Sequence, residues 1–367
     1  MILLLLLACT PDDSPSDSGT DSGTEAEVFH DPSAPGPWPV GTDARTITGS
    51  SGVELTVQAW FPRDSTEGSV HEYDDLVPGG ALDGGQADCA SPRPVLLFSH
   101  GNGGMRWQSF FLAEHFASHG FLVLAPDHTF NTIFDLDDER RYELVFRRPV
   151  DIADSFDLLL ERIADPEDRL YGCADPAAGY AIAGHSFGGY TTMAVAGAAI
   201  DSEQTAAWCA SNGGWLCQDV ATWAELNPGQ TVFDLSDPRA WAAIPMAPAG
   251  YEALVAGLPD IAVPSLVLGG SRDSLTTWEG EVYPIYADLQ ASPRAAGLVI
   301  DAGHYSFSDA CSLVPSFADC APPYLPPEEV QQIAKTLSLA WVQAVRGFDQ
   351  AQDWLPGEVE GLEWEAD

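Results

Sequence analysis

Short, continuous apolar runs alternate with stretches of helical spacing along most of this chain. Residues 94–99, 121–125, 180–183, 241–247, 264–268 and 297–300 are runs of the kind that form strands buried on both faces. Residues 53–61 alternate well enough to predict a further strand. Between the runs, residues 105–119 place Phe110, Phe111, Leu112 and Phe116 toward one side of a helix. Residues 150–163 likewise place Ile152, Phe156, Leu159, Leu160 and Ile163 on one face. Residues 187–199 read as a small-residue helix and residues 328–345 as a terminal one. This alternation predicts an α/β fold with a mainly parallel central sheet and helices on both faces. Residues 64–92, polar and rich in Gly and Pro, read as a long loop. Residues 201–240, with Trp208, Trp215 and Trp223, read as an irregular insertion. No internal repeat is visible.

The two ends differ from this core. Residues 1–9 are apolar but far too short to span a bilayer, which takes ~20 residues. They resemble the end of a bacterial lipoprotein signal peptide: Leu6-Leu7-Ala8-Cys9 fits a lipobox, with Cys9 as the lipidated first mature residue, although no Lys or Arg precedes the run. Residues 10–25 contain no aromatic or large aliphatic side chain and cannot bury enough surface to offset ordering entropy. Residues 10–35 are therefore expected to be a disordered acidic tether, residues 36–350 the folded domain and residues 351–367 an acidic tail. This order predicts an exported, lipid-anchored protein, periplasmic or at the cell surface.

Charge and cysteine usage narrow the picture. With 55 acidic residues against 15 basic ones the formal net charge is -40, and Lys335 is the single lysine. Such a surface repels phosphate backbones, so nucleic acid is excluded as a partner. Seven cysteines include Cys9; the others are Cys89, Cys173, Cys209, Cys217, Cys311 and Cys320. An even set in an exported chain reads as disulfides. Several pairings are open. Proximity favours Cys209–Cys217 and Cys311–Cys320, leaving Cys89–Cys173. No CxxC and no His at ligand spacing supports a zinc site.

The strongest chemical signal is Gly184-His185-Ser186-Phe187-Gly188-Gly189, a G-x-S-x-G set directly after a buried strand and directly before a helix. That context is a nucleophile elbow, with Ser186 held in a strained turn. Phe98-Ser99-His100-Gly101-Asn102-Gly103-Gly104 ends another buried strand. A loop there can donate a backbone N–H to an oxyanion, with Asn102 as candidate, and Phe187, next to the serine, would supply the other. Asp273 follows one later strand and His304 the last, so the chain order is Ser…Asp…His.

Other histidines and carboxylates fit less well. His30 and His71 fall in loops outside the core, and His115 and His119 read as surface residues of a helix. His100 and His185 belong to the two Gly turns, and His128 follows a strand near the pocket. Asp301 and Asp309 flank His304 too closely to orient it, and Asp127 precedes the serine and reads as a loop cap.

These residues resemble the α/β-hydrolase superfamily, and by motif the platelet-activating-factor acetylhydrolase group and the dienelactone-hydrolase-like and cutinase-like bacterial esterases. The carriers are Phe98-Ser-His-Gly-Asn-Gly103, Arg148-Pro-Val-Asp-Ile152, Gly184-His-Ser-Phe-Gly-Gly189, Gly270-Ser-Arg-Asp273 and Gly303-His304, spread over residues 94–308. The resemblance implies an α/β-hydrolase fold and a Ser186–His304–Asp273 esterase without cofactor or metal. Its substrates would be small-molecule or lipid esters: short-chain esters, short-acyl or oxidised phospholipids, or polyesters. True dienelactone hydrolases use a cysteine nucleophile, where this chain has Ser186. Two other functions compete: a serine peptidase or amidase of the same fold, and a catalytically silent surface-binding lipoprotein. Residues 201–240 are open to two readings, a lid over Ser186 or a cover on the far side of the sheet.

Overall fold

The computed structural model describes residues 28–356 and 361–367. Cys9 and residues 10–27 of the expected tether lie outside them.

The strands are β1 (Val40–Thr48), β2 (Glu54–Pro62), β3 (Val70–Tyr73), β4 (Val77–Asp83), β5 (Val95–Ser99), β6 (Leu122–Pro126), β7 (Tyr180–His185), β8 (Ile200–Asp201), β9 (Val232–Phe233), β10 (Ala240–Met246), β11 (Ser265–Gly270), β12 (Arg294–Val299) and β13 (Leu362–Ala366). The helices are α1 (Phe110–Ser118), α2 (Arg141–Ala164), α3 (Phe187–Ala196), α4 (Ser202–Asn212), α5 (Cys217–Leu226), α6 (Tyr251–Leu254), α7 (Tyr283–Asp288), α8 (Ala310–Leu313) and α9 (Pro327–Val345). Eleven strands form one sheet in the order β13-β12-β11-β10-β7-β5-β6-β2-β1-β4-β3. The six central strands from β12 to β6 are parallel to their neighbours; β13 and β2 are antiparallel where they join this block. The fold is thus the expected α/β architecture.

The central strands are buried along their whole length because both faces are covered. Alternate residues of β5 enter different cores: Val95 and Leu97 pack with Leu144, Ile152, Phe156 and Met193 of α2 and α3. Leu96 and Phe98 pack with Leu112 and Phe116 of α1 and Val330 and Trp341 of α9. A strand apolar on both faces reads as a continuous run, which is why these strands were visible in the sequence.

Several expectations need correction. Residues 64–92 are not a plain loop, because β3 and β4 form an edge hairpin within them. Few of its side chains are buried, Tyr73 and Ala81 among them, so it carries little apolar signal. Its anchor is Glu114 of α1, which accepts from Tyr73 Oη at 2.7 Å and from the N–H groups of Gly80 and Ala81. The helix expected over residues 150–163 starts at Arg141 and runs through Pro149. Proline deprives the carbonyl four residues back of its helical partner. Here that carbonyl, on Val145, accepts instead from Tyr190 Oη of α3 at 2.9 Å.

Residues 201–240 hold α4, α5 and the β8–β9 pair, and so are not irregular. Residues 351–367, expected as an acidic tail apart from the domain, include ordered parts of it: Asp349–Trp354 is a 3-10 helix and β13 pairs along β12. At the other end, residues 28–35, assigned to the tether, are docked. His115 and His119 are buried rather than exposed, and their Nε2 atoms meet the carbonyls of Pro32 at 2.9 Å and Asp31 at 3.1 Å.

Cysteines pair as Cys89–Cys173, Cys209–Cys217 and Cys311–Cys320. The first joins the segments leading into β5 and β7, the second joins α4 to α5, and the third closes the loop after His304. Such bonds point to an oxidising environment. Among the described residues no helix is long and apolar enough to cross a membrane.

Candidate active site

Strand order brings the candidate residues together. β5 lies beside β7 with Ser99 opposite Gly184, so the loop carrying Asn102 and the turn carrying Ser186 leave the sheet side by side. β10, β11 and β12 follow in parallel, and the loops after β11 and β12 deliver Asp273 and His304 to the same carboxyl edge.

Ser186 has φ 59° and ψ -118°, a conformation that L-residues avoid. Its N–H donates to Met246 O at 3.0 Å, and its carbonyl accepts from Ala249 N at 3.1 Å and Gly189 N at 2.8 Å. These bonds hold the strained residue from both sides. Two glycines are sterically required. A Cβ at Gly184 would lie 2.2 Å from Gly188 O, and one at Gly188 would lie 1.8 Å from Ser99 O. The turn therefore closes only because β7, α3 and the β5 loop approach one another without side chains between them.

Asp273 and His304 are joined by a 2.7 Å hydrogen bond between Oδ2 and Nδ1. Asp273 Oδ1 accepts from the N–H groups of Leu275 and Thr276, both at 2.8 Å, and the Thr276 hydroxyl lies 2.8 Å from Oδ2. Burial alone would raise the Asp273 pKa, but the hydrogen bond and charge of His304, with the Thr276 donors, hold it below the usual carboxylate range. An ionised Asp273 fixes the Nδ1–H tautomer of His304 and leaves Nε2 for a proton from elsewhere. His304 and Ser186 line one cavity of about 490 Å³. Among the described residues no hydrogen bond joins them. The geometry thus assembles the acid–base pair and places the serine in the same cavity, short of a formed Ser–His contact.

The Asn102 loop is tied to the rest of the site by Gln108 and Asn131, outside every motif, and by His185 and Arg148, whose motifs gave no hint of these bonds. Gly101 N donates to Gln108 Oε1 at 3.0 Å, Gln108 Nε2 donates to His185 Nδ1 at 2.9 Å, and His185 Nε2 donates to His304 O at 2.9 Å. Burial, then the nearby His304, pulls His185 down to about 3, so it stays neutral with its proton on Nε2, as this chain of bonds requires. Beneath the loop lies Arg148, which is fully buried. Its guanidinium donates to Asn131 Oδ1, His100 O, Ser99 Oγ and Thr191 Oγ1, and sits 4.6 Å over the Phe187 ring. Asn131 passes the constraint on, with Nδ2 donating to Asn102 Oδ1 at 2.8 Å while its carbonyl accepts from Gly103 N at 3.1 Å. One buried arginine therefore braces both the Asn102 loop and the start of α3.

His128 belongs to this brace and not to the cavity. Its Nδ1 donates to Asp151 at 2.8 Å and its Nε2 accepts from Ser99 Oγ at 2.9 Å. Asp127 pairs with Arg106, Asp301 with Arg272, and Asp309 accepts from Phe111 N, so none of these carboxylates reaches His304. Of the insertion's tryptophans, Trp215 lines the cavity and meets Phe187 edge-on at 4.9 Å. Trp208 packs on Tyr251 and Trp223 stacks on Phe146 at the core. The segment is thus partly wall and partly cover. The remaining wall is largely apolar, with Met105, Leu313, Val314 and Phe317 inside. Ile133 and Leu275, 57% and 58% exposed, stand among the residues that line it. No group of three His, Cys, Asp or Glu among the described residues is arranged to hold a metal ion.

No protein-family model matches this chain, and no curated protein matches it.

Proposed function

We propose that the chain is a serine carboxylic ester hydrolase of the α/β-hydrolase fold. The observation that carries this reading is a strained Ser186 on a strand–helix turn, sharing a cavity with an Asp273–His304 pair. In this mechanism His304 Nε2 takes the Ser186 proton as Oγ attacks the ester carbonyl. The oxyanion is held by the amides of Asn102 and Phe187. His304 then gives its proton to the departing alcohol, and water activated by the same nitrogen releases the acyl group. Asp273 stays ionised and stabilises the imidazolium. No step needs a cofactor. The apolar wall suits an acyl chain, which keeps short-chain esters, short-acyl or oxidised phospholipids and polyesters as the substrate range. We also infer export with lipid attachment at Cys9; the three disulfides support the export.

The test is hydrolysis of p-nitrophenyl esters of graded chain length by wild type and Ser186→Ala. The expected result is turnover that falls by roughly 10⁴-fold or more in the variant. A wild type inactive on every ester, or a Ser186→Ala variant that keeps its rate, overturns the assignment.

A further inference from the structure

We infer that the Ser186 cavity selects esters bearing a cationic group, with Glu281 as the counter-charge. The inference rests on the esterase reading and names the substrate class for that same site.

Glu281 lies on the helical turn Trp278–Val282, just before α7, and lines the cavity with Ser186 and His304. Among the described residues no Lys or Arg lines that cavity. The carboxylate is anchored close to the nucleophile. Oε2 accepts from Tyr251 N at 3.0 Å, two residues beyond Ala249, whose own N–H holds the Ser186 carbonyl at 3.1 Å. Yet Glu281 forms no ion pair among the described residues. Its acidic neighbours are Glu252 and Asp273, and both disfavour its charge. Asp273 is satisfied by His304, and Glu252 accepts from Leu216 N at 2.6 Å. The nearby Arg141, 5.0 Å over the Trp215 ring, is committed to Asp219 at 2.8 Å.

A partly buried carboxylate without a cation is costly, and here burial, followed by Glu252, pushes its pKa up to about 7. Its capping duty toward Tyr251 needs only a neutral acceptor, which a glutamine oxygen supplies. Among the described residues the charge is met by the backbone N–H groups of Tyr251 and Gly250 and by no cation. A ligand cation would complete the arrangement by neutralising Glu281 within a cavity whose wall also carries the aromatic rings of Tyr305 and Phe317. A quaternary or primary ammonium supplies that charge. An anionic substrate would meet Glu281 unscreened, in a chain already carrying a net charge of -40.

Because that net charge attracts any cation, the decisive contrast is between proteins differing by one charge. The experiment compares kcat/KM for trimethylammonioethyl butyrate and its uncharged isostere, 3,3-dimethylbutyl butyrate, at pH 8 in wild type, Glu281→Gln and Glu281→Asp. The expected cationic-to-neutral ratio is about tenfold or more in wild type, within about twofold of unity in Glu281→Gln, and intermediate in Glu281→Asp. A wild-type ratio near unity overturns the inference, as does a high ratio that survives in Glu281→Gln. Inactivity of wild type on both esters and on p-nitrophenyl butyrate would instead overturn the esterase reading. In that event calorimetric titration with phenyltrimethylammonium decides: binding to wild type that is lost in Glu281→Gln upholds the cation site, and no binding to wild type, or equal binding to both, removes it.

Discussion

At the residue scale, the part of the site with the most support is the loop that presents Asn102. Its side chain is held by Asn131, Asn131 by Arg148, and Arg148 also grips Thr191 of α3 and lies over Phe187. Burial pulls the Arg148 guanidinium down to about 9, which still leaves it charged at neutral pH. In the proposed reaction the Asn102 amide matters chiefly once negative charge has formed on the ester oxygen. Asn131→Ala should therefore lower kcat roughly ten- to a hundred-fold and change KM little. Steady-state kinetics on p-nitrophenyl butyrate checks this. A raised KM with kcat intact would mean that Asn131 shapes ground-state binding and does not aim the amide.

At the element scale, α2 shows how a local rule is overridden by a tertiary contact. Pro149 marks a helix boundary on sequence grounds, yet twenty-four residues form one helix across it. The freed Val145 carbonyl is buried and is satisfied by Tyr190 Oη. Tyr190→Phe keeps the ring and removes that donor, so it should destabilise the fold by about 1–3 kcal/mol. Urea unfolding measures the loss; an unchanged midpoint would show that the carbonyl finds another donor. The same helix carries Arg147, Arg148 and Asp151, so its continuity through Pro149 aligns the brace beneath the Asn102 loop. The β3–β4 hairpin is the opposite case. Its sequence is weak in strand signal, and Glu114 of α1 supplies bonds that hold β4 in place.

At the scale of the whole molecule, three disulfides close loops of very different length. Cys89 and Cys173 are separated by 84 residues, Cys209 and Cys217 by 8, and Cys311 and Cys320 by 9. If a crosslink acts mainly on unfolded-chain entropy, removing the long one costs roughly 2 kcal/mol more than removing a short one. Replacing Cys89 and Cys173 together by Ala should thus lower stability more than replacing Cys209 and Cys217 together, as read from unfolding midpoints of the two double variants. Equal losses would contradict the entropic account for this fold.

What the sequence determined by itself lies in patterns that depend on near neighbours. The central strands show as apolar runs because both faces are covered, and the G-x-S-x-G turn shows because close backbone approach demands glycine at Gly184 and Gly188. Proximity favours Cys209–Cys217 and Cys311–Cys320 but leaves other pairings open; the structure has these two together with Cys89–Cys173. The order Ser186, Asp273, His304 is likewise readable along the chain. Tertiary structure alone decided the rest: that Arg148 and Asn131 underlie Asn102, that Gln108 and His185 join the Gly101 loop to the His304 loop, and that Glu281 enters the cavity with no ion pair among the described residues. His185 and Arg148 fall within quoted motifs, but nothing in those motifs gives the partners they bind, and Gln108, Asn131 and Glu281 have no spacing rule of their own. Their roles come from the strand order that sets β5 beside β7 and β10 beside β11, and from burial, which makes each unpaired polar group costly and so determines where each must find a partner.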